Sequence, residues 1–473
     1  MLNQLSIKEQ ETDPSRVDRS GTPSTVIEAV VETLVSRARA AQRRFEGWSE
    51  ERVDRLLGGL AAVVAGDAYS LATATVAETG MGNVRDKADK IAAASIGVYA
   101  QMAGQIGYGE IGFDSERQVA EIASPMGVIV GLLPATHPVA TFIFKVLIAL
   151  KGRNAIILSP SRRAQQVSVC LGRLIQEELR AAGAPIDLVQ WLGFGSSRET
   201  TSALMCHRHV ALVLATGGRA MVSAAYRSGT PAIGVGPGNA PALIAADADL
   251  QRAARSVVLS KSFDNGLICG AENHLVVEAS VRERLIDELK ENGAAVLTEA
   301  ESARFREAAV SPETHRLFSH LVGQDAEMLA SLAQIERPYG IRLLVIPADV
   351  VDSSNYLAAE KLAPVVSVYS VADVDEGLQV CAALLDVEGM GHTAVIHTHS
   401  GGHVKRFATT MPVSRILVNT PATQGVLGLT TGLVPSMTLG CGTWGGTSTT
   451  KSVSYRDLLN IKRIAYHARE QGR

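Results

Sequence analysis

Short apolar segments alternate with amphipathic helical segments through the middle of this chain, and this alternation constrains its fold more than any other feature. The apolar segments have the length and the Val, Ile and Leu content of buried strands. Those of the first half are residues 128–133, 154–158, 188–191, 210–214 and 231–235, with a helix predicted at 164–182. Strands that alternate with helices predict a parallel, doubly wound α/β sheet, whose ligands bind beyond the carboxyl ends of the strands.

A second series of strands and helices begins near Pro241 and predicts a second lobe. It includes strands at 274–278, 343–346 and 365–369 and a helix at 280–292. The chain has 473 residues, which is too long for one ordinary core, so we expect two domains. The predicted bounds are 24–240 for the first domain, 241–420 for the second and 421–473 for a C-terminal return segment.

The N-terminal residues 1–23 are polar and charged, with no apolar segment behind a basic start, which predicts a flexible tail and not a signal peptide. Order is predicted from Thr25, because Thr25 and Glu28 have the spacing of a capping box.

Residues 109–121 predict a hairpin that projects from the body. The uncharged stretch 122–144 is long enough for a membrane span, but its prolines divide it into a strand and a helix, so we expect a soluble core and no membrane.

Charge and cysteine content exclude several classes of protein. Lys and Arg total 45 and Asp and Glu total 48, a formal charge of −3, so the chain lacks the basic footprint of a nucleic-acid binder. The cysteines are odd in number and without CxxC spacing, which argues against a disulfide framework and a zinc site: Cys170, Cys206, Cys269, Cys381 and Cys441. The histidines show no metal-ligand spacing either. We therefore expect no metal and a reducing, cytoplasmic location.

Cys269 ends the segment 262–269, just after a glycine turn and ahead of a short strand. A thiol whose pKa is lowered by backbone amides or a cation attacks carbonyl carbon well, so this setting suits a nucleophile. A buried structural cysteine is the alternative, since free Cys often fills a core. Dense glycines at 389–391 and 440–446 suggest backbone close to a ligand, or tight connections between short strands.

Eight segments in order resemble the aldehyde dehydrogenase superfamily, and within it the CoA-dependent acylating branch. They are 124–129, 134–138, 151–154, 215–218, 234–239, 262–269, 391–393 and the turn at Cys441. The branch includes the aldehyde half of bifunctional aldehyde/alcohol dehydrogenases and the acylating succinate-semialdehyde dehydrogenases. The resemblance runs from about residue 25 to 468 and implies a nucleotide-binding domain (24–240), a catalytic domain (241–420), and an oligomerisation arm from the 109–121 hairpin and the C-terminal segment. It also implies a homodimer or homotetramer.

The resemblance assigns Cys269 as the nucleophile. Its oxyanion would receive hydrogen bonds from the Cys269 backbone and from a side-chain amide, but His137 stands where the family has asparagine. His137 can still donate, although its charge would vary near a pH of about 6.5. His137 either takes part in catalysis or contacts the substrate, or its side chain only fills space beside the site. His392 either assists proton transfer or is structural.

The resemblance also implies a bound NAD or NADP. The residues expected to contact it are Ser159, Pro160, Thr216, Gly217, Gly218, Gly236 and Glu360. The turn at Gly217 follows a strand and opens a helix, which suits a diphosphate, although it does not match the GxGxxG fingerprint. Ser159-Pro160-Ser161 replaces a common Lys-Pro-Ser motif, so the choice between NAD and NADP stays open.

Hydrolytic members of the family carry a glutamate that activates water, whereas the corresponding stretch 234–239 of this chain has no carboxylate. The resemblance therefore implies that CoA accepts the acyl group. A hydrolytic enzyme and a nucleotide-binding relative without turnover are the alternatives. The aldehyde is either acetaldehyde-like or a small anion such as sulfoacetaldehyde or succinate semialdehyde, and the cations available for an anion are Lys145, Arg219, Arg415 and His137.

Overall fold

The computed structural model describes residues 25–194 and 197–467. The predicted tail at 1–23 lies outside the described residues. The helices before the first sheet are α1 (Val26–Glu46), α2 (Glu50–Gly66), α3 (Ala68–Thr79), α4 (Val84–Ala92) and α5 (Val98–Met102). The capping box that starts α1 is confirmed: the Glu28 amide donates to the Thr25 hydroxyl and the Thr25 amide donates to the Glu28 carboxylate.

A parallel five-stranded sheet follows. Its elements are β3 (Val128–Leu132), α6 (Pro138–Lys151), β4 (Ala155–Ser159), α7 (Gln165–Ala181), β5 (Val189–Trp191), α8 (Arg198–Met205), β6 (Val210–Thr216), α9 (Arg219–Arg227) and β7 (Ala232–Val235). The strand order is β5-β4-β3-β6-β7. Every residue of α6 is buried, so the apolar stretch of the sequence is a core strand followed by a core helix.

A second, seven-stranded parallel sheet forms the other lobe. Its elements are β8 (Ala240–Ile244), α10 (Leu250–Ser262), β9 (Glu272–Glu278), α11 (Arg282–Glu291), β10 (Ala294–Val296), α12 (Glu299–Ala309), α13 (Ala326–Leu332), β11 (Leu343–Pro347), β12 (Val365–Val371), α14 (Val374–Val387), β13 (Gly391–His397), α15 (Gly401–Thr410), β14 (Val413–Val418) and α16 (Ala422–Val426). The strand order is β10-β11-β12-β9-β8-β13-β14. The chain changes sheet between Val235 and Ala240, and the domain bounds themselves stay a prediction.

The hairpin consists of β1 (Gly109–Asp114) and β2 (Val119–Pro125), so it is longer than the predicted 109–121. The prediction ended too early because residues 122–125 were assigned to the next apolar run. The last strand, β15 (Leu459–Ala465), pairs antiparallel with β2 and completes a three-stranded sheet. Large apolar side chains on or beside this sheet are exposed: Ile111, Phe113, Ile464 and Tyr466.

Within the described residues, no single helix is both long and apolar enough to cross a membrane. The bent pair α2 and α3, which meet at 60°, passes the same test of length and composition.

Candidate active site

Four strands of the first sheet end beside one cavity. The chain adds β4 and β5 on one side of β3 and then crosses over to add β6 and β7 on the other, so the strand order reverses between β3 and β6. Open α/β sheets bind ligands at such a reversal. A cavity of about 260 Å³ is lined by the loops 133–137, 217–218 and 236–237, which follow β3, β6 and β7, and by Ser161, which follows β4.

Most of the residues expected at the site line this cavity: His137, Thr216, Gly217, Gly218, Gly236, Cys269 and Glu360. Ser159 and Pro160 do not line it, and their neighbour Ser161 does. The buried Ser159 hydroxyl lies 3.0 Å from Thr201 Oγ1. His392 lies behind Cys269, fully buried at the second residue of β13.

Two glycines leave room for a ligand in the wall of the cavity. A Cβ atom built on Gly218 or on Gly236 would meet no other atom within 4 Å, although both residues line the cavity. Gly218 is also the N-cap residue of α9, so the unpaired amides of the first turn of α9 start here. This arrangement suits the diphosphate of a dinucleotide.

Cys269 lies at the end of an irregular loop between α10 and β9. The loop contains Asp264 and Asn265 with φ angles of 47° and 54°, a left-handed conformation that L residues adopt rarely. Gly238 packs against Cys269 so closely that a Cβ atom on Gly238 would lie 1.6 Å from the Cys269 carbonyl oxygen. The connection between the two sheets therefore packs directly against the backbone of Cys269.

The Cys269 thiol contacts one histidine directly. Its Sγ atom lies 3.1 Å from His392 Nε2, and His392 Nδ1 lies 2.9 Å from Thr393 Oγ1. Both neutral tautomers satisfy these contacts. In the one that suits a base, the thiol donates to Nε2 and the Nδ1–H donates to the threonine hydroxyl; in the other, Nε2–H donates to the sulfur and the hydroxyl donates to Nδ1. Burial, together with the charge of Arg415, lowers the pKa of His392 well below its usual value, so the imidazole is neutral.

The resting thiol is protonated. Burial raises the pKa of Cys269 to about 12, with further contributions from Glu360 and Cys441, whereas Arg415 lowers it. The neutral thiol and the neutral imidazole form a pair that needs a proton transfer before the sulfur becomes nucleophilic. Burial therefore outweighs the nearby Arg415 cation, which alone would lower the pKa of the thiol.

Glu360 reaches the same cavity from the second lobe. Its Oε1 atom accepts a hydrogen bond of 3.2 Å from the Gly238 amide. Burial and the nearby Glu388 carboxylate raise the pKa of Glu360 to about 8. The carboxyl group is therefore mostly protonated at pH 7 and gains its charge only in alkaline solution.

His137 lines the same cavity as Cys269 and is buried. Its Nδ1 atom lies 2.9 Å from Thr136 Oγ1. Burial is the largest cause of a pKa well below the usual histidine value, followed by the charges of Lys90, Lys87 and Lys145. The expectation that His137 titrates near pH 6.5 is wrong, and the side chain is a neutral donor at physiological pH.

Three cations considered for an anionic substrate have other partners. Lys145 is buried and donates to the carbonyl oxygens of Leu132 (2.6 Å) and Leu214 (2.7 Å). Arg219 is largely exposed and its side chain lies 3.9 Å from Glu388. Arg415 is buried near Cys269 and donates to the carbonyl oxygens of Gly440 and Thr450. None of the three lines the cavity that holds Cys269.

Sequence reasoning missed a buried cluster of charges behind this cavity. Asp264 accepts hydrogen bonds from Lys87 and Lys90, which lie 177 and 174 positions away in the chain. The available signal was an aspartate inside an otherwise apolar cysteine segment, because a buried carboxylate requires cationic partners. Within residues 25–194 and 197–467 there is no group of three His, Cys, Asp or Glu that could hold a metal ion.

A model of the aldehyde dehydrogenase family matches residues 5–438. The chain belongs to this family. Two curated relatives show its range. The bifunctional aldehyde-alcohol dehydrogenase of Escherichia coli is 39% identical over 93% of this chain, and this match spans only 50% of that protein. The acetylating succinate-semialdehyde dehydrogenase of Clostridium kluyveri is 33% identical over 94% of this chain and 97% of its own length.

Solved structures of this family agree with the fold. An acetylating aldehyde dehydrogenase from Geobacillus thermoglucosidasius is 36% identical with a TM-score of 0.90, over 94% of this chain and 98% of that one. A propionaldehyde dehydrogenase from Rhodopseudomonas palustris, solved with CoA and an acylated cysteine, is 26% identical with a TM-score of 0.83, over 92% and 97%. The predicted aldehyde dehydrogenase-like fold with parallel sheets is confirmed. The oligomerisation role of the hairpin stays a prediction.

Proposed function

We propose that the chain is a CoA-acylating aldehyde dehydrogenase, which converts an aldehyde, CoA and NAD(P)⁺ into an acyl-CoA and NAD(P)H, reversibly. The contact between Cys269 Sγ and His392 Nε2 at the wall of the cavity carries this proposal. A thiol beside a neutral imidazole, opposite a second hydrogen-bond donor, suits acyl chemistry through a thioester. Support also comes from relatives whose names describe acetylating enzymes.

In the first half-reaction, Cys269 Sγ attacks the carbonyl carbon of the aldehyde while its proton passes to His392 Nε2. The carbonyl oxygen becomes an oxyanion, for which the Cys269 amide and the His137 ring are the proposed donors. A neutral His137 donates a hydrogen bond without changing its charge with pH. His392 Nδ1–H keeps its contact with Thr393, which orients the base.

The adduct on Cys269 would become a thioester by loss of a hydride from the former aldehyde carbon, for which bound NAD(P)⁺ would supply the acceptor. The proposed contacts for the dinucleotide are the open turn at Gly217 and Gly218, with Thr216 and Gly236 beside it and Glu360 from the opposite lobe. Ser159 and Pro160 extend this surface at the end of β4. The residues do not discriminate NAD from NADP.

In the second half-reaction, the CoA thiol attacks the thioester and Cys269 leaves. His392 first releases the proton of the first half-reaction to solvent, then accepts the proton of CoA and returns it to the departing sulfur. Gly236 lines the cavity in the stretch where hydrolytic relatives carry the glutamate base. Glu360 also lines the cavity, and in this proposal it contacts the dinucleotide instead of activating water.

We propose a short uncharged aldehyde, such as acetaldehyde, as the preferred substrate. Among the described residues, no Lys or Arg side chain lines the cavity at Cys269. The terminal anion of succinate semialdehyde or sulfoacetaldehyde requires a cation or a cluster of donors. In a kinetic panel we expect a higher kcat/KM for acetaldehyde and propionaldehyde than for either anion, and the opposite order would contradict this preference.

We also propose a homodimer or homotetramer built on the three-stranded sheet, because the exposed Ile111, Phe113 and Ile464 form an apolar surface there. We also propose a cytoplasmic location, because the structure forms no disulfide among its described cysteines: Cys170, Cys206, Cys269, Cys381 and Cys441.

The proposed nucleotide-binding domain (24–240) and catalytic domain (241–420) correspond to the five-stranded and the seven-stranded parallel sheet.

Omission of CoA tests the proposed function. Purified protein with acetaldehyde and NAD⁺ or NADP⁺ should form NAD(P)H continuously only when CoA is present, and acyl-CoA should accumulate in equal amount. Continuous NAD(P)H formation without CoA would instead identify a hydrolytic enzyme.

A further inference from the structure

A carboxylate lies fully buried five residues before the nucleophile, held by a single helix. Asp264 Oδ2 accepts from Lys87 Nζ (3.1 Å) and from Lys90 Nζ, while Oδ1 accepts from the Asn83 amide (3.1 Å). The Asp264 amide in turn donates to Asp86 Oδ2 (2.7 Å). Helix α4, which begins after Asn83, therefore holds both oxygens and the amide of Asp264.

Lys87, unlike Lys90, has a second hydrogen-bond partner at the site. Lys87 Nζ also donates to the carbonyl oxygen of Thr136 (3.0 Å), the residue directly before His137. Among residues 25–194 and 197–467, the Lys90 ammonium donates a hydrogen bond to Asp264 alone. Lys87 thus connects the loop that leads to Cys269 with the loop that carries His137, and both of these residues line the cavity.

The surroundings of the cluster leave little freedom. Lys87, Lys90 and Asp264 are almost completely buried, and a Cβ atom on Gly82 would lie 2.0 Å from Asp264 Oδ1 and 2.8 Å from Lys87 Nζ. Asp264 is kept at a φ of 47°, a conformation that costs free energy unless its surroundings fix it. A buried and constrained ion cluster couples the position of the loop that leads to Cys269 to the position of the loop that carries His137.

We infer that Lys87 is a positioning residue that sets the distance between Cys269 and His137 across the carbonyl-binding cavity, while Lys90 only secures Asp264. The inference rests on the proposed function, since it assumes that these two groups hold one carbonyl between them. It assigns a role to a lysine that does not line the cavity and is 182 positions from the nucleophile (269 − 87).

The two lysines provide a matched pair of variants. Lys87→Met and Lys90→Met each remove one buried ammonium and one contact to Asp264, but only Lys87→Met releases the Thr136 carbonyl. The readout is the single-turnover burst of NAD(P)H without CoA, which reports the first half-reaction alone. We expect Lys87→Met to slow the burst by about 10- to 100-fold, because displacements near 1 Å cost about that much, and Lys90→Met to slow it less than about threefold.

A second set of measurements distinguishes a positioning role of Lys87 from a general loss of stability or of dinucleotide binding. The melting temperatures of the two variants should fall by similar amounts, and the Kd for NAD(P)H, measured by fluorescence, should stay at the wild-type value. In a His137→Ala background, Lys87→Met should cost only a small further factor, because the donor that it positions is gone. Lys87→Gln, which is too short to reach both partners, is the alternative variant if Lys87→Met does not fold.

Equal loss of burst rate in Lys87→Met and Lys90→Met, or an undiminished effect of Lys87→Met in the His137→Ala background, would overturn the inference and leave the proposed function intact. A wild-type protein without any burst would refute the proposed function, and the inference with it.

Discussion

The two parallel sheets present opposite kinds of surface to the same cavity. From the first sheet come the turn at Gly217 and Gly218, the open backbone at Gly236 and a histidine that burial keeps neutral. The second lobe supplies Cys269 and Glu360 to the cavity, with His392 behind Cys269, and the pKa values of all three are strongly shifted. We propose that the first sheet binds ligands by shape and hydrogen bonds, while residues of the second lobe transfer protons. Each surface can therefore be changed separately.

The largest effect is expected from the base on the second lobe. His392→Ala removes the acceptor of the Cys269 proton, so we predict a fall in kcat of about a hundredfold or more, the usual contribution of a general base. The Kd for NAD(P)H should be unchanged, because His392 does not line the cavity.

His399→Ala is the matched control for this variant, since His399 is exposed just beyond the same strand and should be replaceable without effect. A His392→Ala enzyme with wild-type kcat would show that the contact with Cys269 is only structural.

A smaller effect is expected from the binding surface of the first sheet. Gly218→Ala places a methyl group in open space that we assign to the dinucleotide, while the φ of −67° at Gly218 accommodates alanine. We predict a rise in the KM for NAD(P)⁺ of about tenfold, or about 1.4 kcal/mol, with kcat at saturation within about twofold of wild type.

Gly47→Ala is the control, because a Cβ atom on Gly47 also meets no atom within 4 Å but Gly47 lies at the end of α1 and does not line the cavity. If Gly218→Ala lowered kcat and left the KM unchanged, the division of labour between the two surfaces would be wrong.

The smallest effect concerns the charge of Glu360 and depends on pH. Below pH 7 this carboxyl group is mostly protonated, so Glu360→Gln should leave the alkylation of Cys269 by iodoacetamide unchanged. Above pH 8 the wild-type carboxylate raises the pKa of the thiol, and its removal should favour the thiolate. We predict a rate ratio of variant to wild type near one at pH 6.5, rising to about threefold or more at pH 9.

Peptide mass spectrometry is the suitable measurement, because Cys170 and Cys206 are exposed and will also react. A ratio that does not change with pH would mean that Glu360 carries the same charge throughout this range.

The sequence was sufficient for the regular parts of this fold. The strands expected at 154–158 and 210–214 are Ala155–Ser159 and Val210–Thr216 in the structure, because Val, Ile and Leu runs between helices have few other stable arrangements. Cys269 and His392 were both recognised as candidates. Their contact, across 123 positions, depends on how β13 packs beside the cysteine loop and has no local signal.

Protonation states were the least predictable feature. His137 was expected to titrate near pH 6.5, but burial lowers its pKa well below that value. Burial also raises the pKa of Cys269 to about 12, a shift for which the sequence has no local signal. The Lys87 and Lys90 ion pairs with Asp264 were also invisible, because α4 and the cysteine loop meet only in the folded chain. The pKa of a buried group depends on side chains that distant segments of the chain bring next to it, so it cannot be read from the local sequence.

The most direct test of the account is the mass of the intact protein after reaction with propionaldehyde and NAD(P)⁺ in the absence of CoA. The account predicts an added propionyl group on Cys269 in the wild type and none in Cys269→Ala. Addition of CoA should remove the group and release propionyl-CoA. A wild-type protein that forms NAD(P)H and carries no acyl group, or whose acyl group is lost to water as fast as to CoA, would contradict the account.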